Sequence, residues 1–462
     1  MKLIYDVNDK PKFGQLIVFA IQQLLAIMAA TLVVPVITGN GMSPAAALFG
    51  AGAGTLVYIC FTLKKSPVFL GSSFAFLGSM ATAFAGAATV ELGYLGLIIG
   101  AIFAGLVYVV IAIAVKAAGV EWLNKLMPTV VIGPTVSIIG LSLASNAVSD
   151  LQNGGLKVTK VIDGVETSVS AANTLLCVLI GLITLFVTML CSTYGKKMAR
   201  LIPFICGILS GYAVALVLTI IGIACSIEAL QVIDLSNFTA LVADGVTIKT
   251  FLQVPSFTFL TALGGFSELN GAYVGTIAVA YVPVAFVVFA EHVADHKNIS
   301  SIIERDLLTD PGLCRTLLGD GIGSMVGAIF GGCPNTTYGE SIGCVAITRN
   351  ASVYTIIAAA VGAIIISFLS PFVAFVNSIP SCVMGGVCMA LYGFIAVSGL
   401  KMVQEVDLNK NRNLFVVSAI LIAGIGGLTL TFGQVTITSI AAALIIGIIA
   451  NQMLKGEKDE AE

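Results

Sequence analysis

The residues most able to do chemistry lie in one short stretch, residues 331–343, which reads GGCPNTTYGESIG and contains Glu340. Gly331, Gly332 and Pro334 disfavour a helix, and the Thr-Thr-Tyr run that follows favours an extended backbone. Strongly apolar segments flank the stretch, and non-helical backbone at membrane depth persists only where it is buried in protein or lines a cavity. A carboxylate there costs roughly 2.5–3.5 kcal/mol on insertion scales and is usually functional. We therefore predict a binding site around Glu340.

A second cluster of ionisable residues ends an apolar segment. Glu291 and Asp295 are four residues apart and share a helical face, and His292 and His296, the only two histidines, form a similar pair. Glu291 lies six residues before Lys297, so it is about 9 Å deeper than the surface that the lysine marks. The alternative is a charged helix end that snorkels into the interface, which suits the histidines better than Glu291. We predict that Glu291 belongs to the binding site.

Other polar residues in apolar segments favour structural interpretations. Asp320 follows Arg315 near a predicted inner surface, where a local ion pair or a helix cap fits better than a substrate role. The two histidines lack a third ligand and do not form a His-Glu-x-x-His motif, so we expect no metal site. The ten cysteines show no metal-ligand or redox spacing and are expected to be buried apolar residues.

The predicted site suits a flat, polar ligand. Two carboxylates accept hydrogen bonds from N–H groups, and free backbone amides at helix N-termini donate to carbonyl oxygens. Phe74 or Phe76, expected on the strand of the other broken segment, could stack on a flat ring. This combination fits a planar molecule with alternating N–H and C=O groups, such as a nucleobase. A neutral ligand gains nothing from the membrane potential, so uphill uptake requires a coupled ion, and a buried carboxylate is a natural proton carrier.

Composition places these residues in a polytopic membrane protein, because 58% of the 462 residues are hydrophobic and only 10% are charged. We predict fourteen spans, an even number with both termini on the inner side. In this arrangement 19 of the 22 Lys and Arg residues lie inside, and only Lys157, Lys160 and Lys249 lie outside. The predicted spans are residues 14–37, 45–63, 68–86, 93–115, 127–147, 173–193, 201–224, 274–299, 315–332, 336–348, 353–376, 380–400, 413–431 and 436–454.

The spans divide into two groups of seven. The first repeat covers residues 1–225, a long outer segment covers 226–273, and the second repeat covers 274–455, before a solvated tail at 456–462. Because seven is odd, the second repeat enters the membrane with inverted orientation. The third span of each repeat is interrupted by Pro, Gly and small polar residues, and such paired interruptions point to the central site of a transporter.

Five motifs carry a family resemblance that extends along nearly the whole chain. The sequence resembles the nucleobase–ascorbate transporters and, within them, the branch of bacterial uracil permeases. The motifs are QQLLAIMAATLVVPV at 22–36, LGSSFAF at 70–76, AEHVAD at 290–295, DLLTDPG at 306–312 and PNTTYGESIGCVAITR at 334–349.

The resemblance implies an architecture. Spans 1–4 and 8–11 would form a core domain, and spans 5–7 and 12–14 a gate domain. Short antiparallel β-strands in spans 3 and 10 would meet at the site within this otherwise all-α protein. A homodimer, elevator-like movement of the core against the gate and proton symport are also implied.

The resemblance further implies roles for individual residues. Asp295, Glu291 and His292 would serve proton coupling. Two positions depart from the pattern, with Asp295 where uracil permeases have a second histidine and Ser341 where the family usually has Asn. The implied substrate-binding residues are Glu291, Glu340, Phe74, Gly339, Tyr338, Ala30 and Tyr392.

Together these features predict a proton-coupled uracil importer in the cytoplasmic membrane, with both termini cytoplasmic. We expect no enzymatic activity, no cofactor besides the coupling H⁺, and no nucleic-acid partner. The nearest alternative is a xanthine, uric acid or guanine permease on the same scaffold. An anion transporter of the same fold and a membrane-embedded hydrolase are more distant alternatives.

Overall fold

The computed structural model describes residues 3–119, 122, 127–162, 165–196, 198–243, 245–432 and 435–454. Over these ranges the chain is mostly helical. Nine of the described helices are long and apolar enough to cross a membrane, and four shorter apolar helices accompany them. The prediction of a helical, multi-pass membrane protein is therefore confirmed. The predicted tail at 456–462 lies outside the described residues.

The helices of the first half alternate with short irregular segments. One helical turn at Phe74–Phe76 leads into α3. The helices are α1 (Phe13–Thr38), α2 (Pro44–Phe61), α3 (Leu77–Ala85), α4 (Val90–Ala118), α5 (Thr129–Ser142), α6 (Ala144–Leu151), α7 (Thr174–Tyr194), α8 (Met198–Leu201) and α9 (Pro203–Ala224).

The segment between the two halves contains short helices, and the long helices resume at residue 271. The helices are α10 (Ser236–Thr239), α11 (Ile248–Phe251), α12 (Thr258–Ala262), α13 (Gly271–Ile303), α14 (Leu313–Gly331), α15 (Gly339–Thr348), α16 (Val353–Ser367), α17 (Ser370–Ser378), α18 (Ser381–Val403), α19 (Asn411–Ile425) and α20 (Ser439–Met453).

Within the described ranges, six strands form three separate two-stranded antiparallel sheets. Four of them make local hairpins, β2 (Lys157–Ile162) with β3 (Val165–Ser170) and β5 (Leu430–Phe432) with β6 (Val435–Ile437). The third sheet joins the two halves of the chain. It pairs β1 (Leu70–Ser72) with β4 (Asn335–Thr337), with Gly71 opposite Thr336.

Close helix packing surrounds this central sheet. Helices α2 and α14 cross where Gly54 faces Gly323, and a Cβ on Gly54 would lie 2.5 Å from the Gly323 carbonyl oxygen. Small residues let helix backbones approach in this way in membranes. Asn335, at the start of β4, donates from Nδ2 to the Gly50 carbonyl oxygen at 3.1 Å and joins the sheet to the same crossing.

Two local expectations differ from the structure. Phe74 and Phe76 lie beyond β1, in the helical turn, because the strand is only three residues long. The helix that carries Glu291 continues to Ile303, so the histidines lie inside a helix rather than at its frayed end.

Candidate functional site

The central sheet presents two helix starts to one cavity. Strands β1 and β4 are each followed, after one residue, by a helical segment, so backbone N–H groups at Phe74 and Gly339 lie at helix N-termini. Such N–H groups lack acceptors within their own helix. They can therefore donate to a ligand's carbonyl oxygens.

Tyr338 fixes the geometry at the start of α15. Its hydroxyl donates to the Ser72 carbonyl oxygen at 2.7 Å, and its ring lies directly against Gly71. A Cβ at position 71 would overlap this ring, so a glycine is required there. The contact ties the start of α15 to β1.

The cavity has a volume of about 430 Å³, within the range typical of small-molecule sites. Three carboxylates face it, Glu291 and Asp295 from α13 and Glu340 from α15. Glu291 is exposed to the cavity, and the other two are half-buried. The lining residues are Ser73, Phe74, Ala75, Val136, Ile139, Phe204, Val287, Ala290, Glu291, Ala294, Asp295, Thr336, Tyr338, Gly339, Glu340, Leu391, Phe394, Ile395, Ser398 and Met402.

Asp295 is held by the central sheet. Its Oδ2 atom accepts a hydrogen bond from the Thr337 hydroxyl at 2.7 Å. Thr337 is the last residue of β4, so this bond connects α13 to the strand that precedes Glu340. Asp295 is thereby oriented beside Glu291 at the cavity wall.

His292 lies on the opposite side of α13, without exposure to the cavity or to solvent. Its Nδ1 atom is 2.7 Å from Asp320 Oδ2, and its Nε2 atom is 3.0 Å from Thr316 Oγ1. The Thr316 hydroxyl donates to the Leu313 carbonyl oxygen at 3.1 Å, so it accepts from His292. One proton is thus shared between His292 Nδ1 and the Asp320 carboxylate.

His296 is also fully buried, and its hydrogen bonds define its tautomer. Nδ1 donates to the His292 carbonyl oxygen at 2.8 Å, so in a neutral ring Nε2 accepts from the Tyr58 hydroxyl at 2.7 Å. Ser66 Oγ, 2.6 Å from Tyr58 Oη, is then the donor to Tyr58. Both histidines belong to a buried network, and the alternative of a snorkelling helix end is wrong for them.

The structure brings most of the predicted substrate-binding residues together. Ala30 and Tyr392 do not line the cavity. Ala30 is packed inside α1 with 1% exposure, and Tyr392 lies behind Phe74, with ring centroids 6.1 Å apart. Five of the seven line it, namely Glu291, Glu340, Phe74, Gly339 and Tyr338.

The structure also shows where Asp295 and Ser341, the two residues that depart from the family pattern, are located. Asp295 lines the cavity, as described above. Ser341 is fully buried, and its Oγ atom accepts from the Phe69 backbone N–H at 3.1 Å and from Gln23 Nε2. Ser341 therefore joins α15 to α1 and to the segment before β1, away from the cavity.

Sequence reasoning missed several polar residues of this region. Ser73 and Thr336 line the cavity, and their hydroxyl groups have no partner within the described ranges. Both lie in the broken segments, which was a usable signal. Asp320 was considered, but its partner His292 lies 28 residues away on another helix, and no local pattern links the two.

Comparison with known proteins identifies the family. The sequence profile of the Permease family matches residues 14–432. The chain is 38% identical over 464 residues to the uracil permease of Bacillus caldolyticus, with 100% of this chain and 97% of that protein covered. It is 35% identical over 467 residues to the uracil permease of Bacillus subtilis (strain 168), with 99% and 97% covered.

A solved structure shares the fold. The transmembrane domain of the cyanobacterium bicarbonate transporter BicA superposes with a TM-score of 0.62, covering 97% of this chain and 100% of that chain at 15% sequence identity. At this identity the similarity concerns the fold alone. Because the profile matches most of its length and full-length relatives share over a third of its residues, the chain belongs to the Permease family, a family of transporters rather than enzymes.

Proposed function

We propose that this protein is a uracil permease. The observation that carries the proposal is that two carboxylates, Glu291 and Glu340, face one cavity beside the helix start at Gly339. Uracil presents two ring N–H donors and two carbonyl acceptors. The carboxylates accept from the N–H groups, and backbone amides at Gly339 and Phe74 donate to the carbonyl oxygens. The names of the full-length relatives support the same substrate.

Phe74 supplies the third element of recognition. Its side chain is half-buried at the cavity wall and can stack on a flat ring. Phe76 cannot do so, because it is 2% exposed and stacks on Tyr281 with ring centroids 5.5 Å apart. Phe74 is therefore the proposed stacking residue.

A purine permease on the same scaffold is the second candidate, since xanthine also presents alternating N–H and C=O groups. An anion is disfavoured, because three carboxylates at one cavity would repel it. The fold that this chain shares with a bicarbonate transporter is therefore no support for an anion as its substrate.

We propose fourteen membrane spans in two inverted repeats of seven, with both termini on the cytoplasmic side of the inner membrane. In the described residues, the nine long helices, the four shorter apolar helices and Gly339–Thr348 make fourteen segments. The order of these segments along the chain supports two repeats. Strand β1 comes just before the third helical segment of the first half, and β4 comes just before the third helical segment of the second half.

The division of the cavity wall supports separate core and gate domains. All three carboxylates belong to the proposed core, whereas the gate side is apolar apart from Ser398. A ligand held by the core could slide along such a wall, as elevator-like movement requires. The gate-side residues are Val136, Ile139, Phe204, Leu391, Phe394, Ile395, Ser398 and Met402.

We infer that the cavity faces the cytoplasm in this conformation. Phe204 and Met402, at its wall, lie within a few residues of Arg200 and Lys401. Lys297 follows the acidic residues of α13 in the same way. Basic residues concentrate on the cytoplasmic side of membrane proteins, so their proximity supports an inward-facing site.

We further propose that Glu291 and Asp295 carry the coupling proton, because both lie at the cavity wall within one helical turn of each other. Like charges this close favour holding a proton between them. The family resemblance also assigns His292 to coupling; its hydrogen bonds go to Asp320 and Thr316, away from the cavity, so its proposed role is indirect. The protein is proposed to function as a homodimer in the lipid bilayer.

Uptake into proteoliposomes tests this function. Purified protein is reconstituted, and radiolabelled uracil uptake is followed with and without an inward proton gradient. We expect accumulation that a protonophore abolishes, and its loss in Glu340→Ala protein that remains folded. Uptake of xanthine but not uracil would favour the purine alternative, and uracil uptake indifferent to the gradient would refute proton coupling.

A further inference from the structure

The N-terminal segment, residues 3–10, forms an inner strap that runs alongside the loop after α15. Four backbone hydrogen bonds hold it there, so the strap behaves like an added strand rather than a free tail. The Arg349 carbonyl oxygen accepts from the Ile4 N–H at 2.8 Å and from the Tyr5 N–H at 3.4 Å. The Ala351 N–H donates to the Tyr5 carbonyl oxygen at 2.9 Å, and the Val353 N–H to that of Val7 at 3.0 Å.

Side chains anchor the inner strap as well. Val7 is 1% exposed and belongs to a buried apolar cluster. The Ser352 hydroxyl donates to the Asp9 carbonyl oxygen at 2.6 Å. Asp6 forms an ion pair with Arg305, and both side chains are about half exposed. The strap therefore combines one buried anchor with polar contacts at the surface.

These contacts fall at the ends of the two helices that carry the substrate carboxylates. Arg349 is the C-terminal cap of α15, the helix that begins beside Glu340. Arg305 follows the last residue of α13, the helix that carries Glu291, by two residues. The inner strap thus bridges the inner ends of α13 and α15.

We propose that residues 3–10 are a positioning clip that sets the spacing of Glu291 and Glu340 by fixing the ends of their helices. This inference rests on the proposed function, since it assumes that both carboxylates contact one ligand. Helix α15 has 10 residues, about 15 Å, so a shift at its capped end is transmitted to Glu340. Binding groups must be held to within about 0.5 Å, and misplacement lowers affinity.

Proline at position 353 tests the clip, because it removes one backbone donor at a position where a helix tolerates proline. Val353 is the first residue of α16, where proline is tolerated, and Ser352 has the extended backbone that proline requires before it (φ −62°, ψ 121°). Val353→Pro removes the N–H that donates to Val7 and leaves α16 intact. Val90→Pro is the control for proline at a helix start, because Val90 is the first residue of α4, whose N-terminal cap is Thr89. Val353→Ala is the control for packing, because the Val353 side chain is buried and alanine keeps the backbone N–H.

We expect Val353→Pro to weaken uracil binding about fivefold, as one lost hydrogen bond predicts, and Val90→Pro to leave it unchanged. Hydrogen exchange in residues 339–348 should rise in Val353→Pro protein alone. This second readout needs no ligand. Wild-type protein that fails to bind uracil refutes the proposed function, whereas uracil binding and α15 exchange that both match the wild type in Val353→Pro protein refute the clip.

Charge reversal provides a rescue experiment. Asp6→Arg and Arg305→Asp each place like charges together and should weaken uracil binding by up to about fivefold, the range of an exposed ion pair. The double variant restores opposite charges and should bind uracil more tightly than Asp6→Arg, although the hydrogen bond from the Val7 N–H to Asp6 Oδ1 stays lost. A double variant that is weaker than either single variant would contradict the role of this pair in positioning.

Discussion

Replacing His292 with Leu should destabilise the folded protein by about 3–5 kcal/mol, because it leaves a buried carboxylate without its partner. Asp320 has no exposure, and its Oδ1 atom has no hydrogen-bond partner within the described ranges. Its Oδ2 atom depends on His292 Nδ1 at 2.7 Å. Leucine fills much of the imidazole volume, so the lost energy reports mainly on the charge and its hydrogen bond.

A second substitution separates charge from packing. In the His292→Leu background, Asp320→Asn removes the buried charge and leaves an unpaired amide, which costs about 1–3 kcal/mol. The double variant should therefore be roughly 2 kcal/mol more stable than His292→Leu alone. Asp320→Asn by itself should cost under about 1 kcal/mol, since its amide can donate to neutral His292.

The assay compares apparent free energies of unfolding of purified proteins during titration with a denaturing detergent. The order of stability should be wild type, Asp320→Asn, the double variant and then His292→Leu. Two results would refute a proton shared by these two residues. One is a His292→Leu protein as stable as the wild type, and the other is a double variant no more stable than His292→Leu alone.

Three further substitutions follow from the cavity wall. Phe74→Ala should weaken uracil binding about tenfold, as loss of a stacking aromatic predicts, in a calorimetric titration; unchanged affinity would exclude stacking. Gly71→Ala should displace the Tyr338 ring, and should reduce uracil affinity more than Gly78→Ala, where a Cβ meets open space. Thr337→Val removes the hydroxyl that donates to Asp295, and should slow proton-driven uptake about tenfold while uracil binding persists.

The general class of this fold was predictable because it depends on local composition. Long apolar runs and sparse charge indicate a helical membrane protein, which nine long apolar helices in the described part of the chain confirm. The motif around Glu340 indicated the family, which the profile match confirms. The apolar runs and the motif around Glu340 each consist of residues that are contiguous in the sequence.

The buried histidines were not predictable in the same way. On sequence alone His292 and His296 look like a polar helix end, because Lys297 follows them. Their partners Asp320 and Tyr58 lie on other helices, and the tertiary arrangement that satisfies them leaves no periodic pattern. Burial of such groups is stable only when they are paired, and pairing across helices is a property of the fold.

The residues that line the cavity were also only partly predictable from the sequence. Glu291 and Glu340 could be chosen because carboxylates are rare in apolar segments. Ala30 and Tyr392, in contrast, were placed at the site by resemblance, and neither residue lines the cavity. Phe394, which lines it, is one apolar residue among many along α18, and nothing local distinguishes it.

Ligand binding to the purified protein tests most directly whether the protein binds uracil through Glu340. Thermal unfolding in mild detergent would be measured with uracil, thymine, xanthine, uric acid, guanine and bicarbonate, for the wild type and for Glu340→Ala. A ligand at about 100 times its Kd stabilises the folded state by roughly 2.7 kcal/mol. The prediction is that uracil stabilises the wild type and does not stabilise Glu340→Ala protein. Stabilisation by purines or bicarbonate without uracil, or by uracil in both proteins, would contradict it.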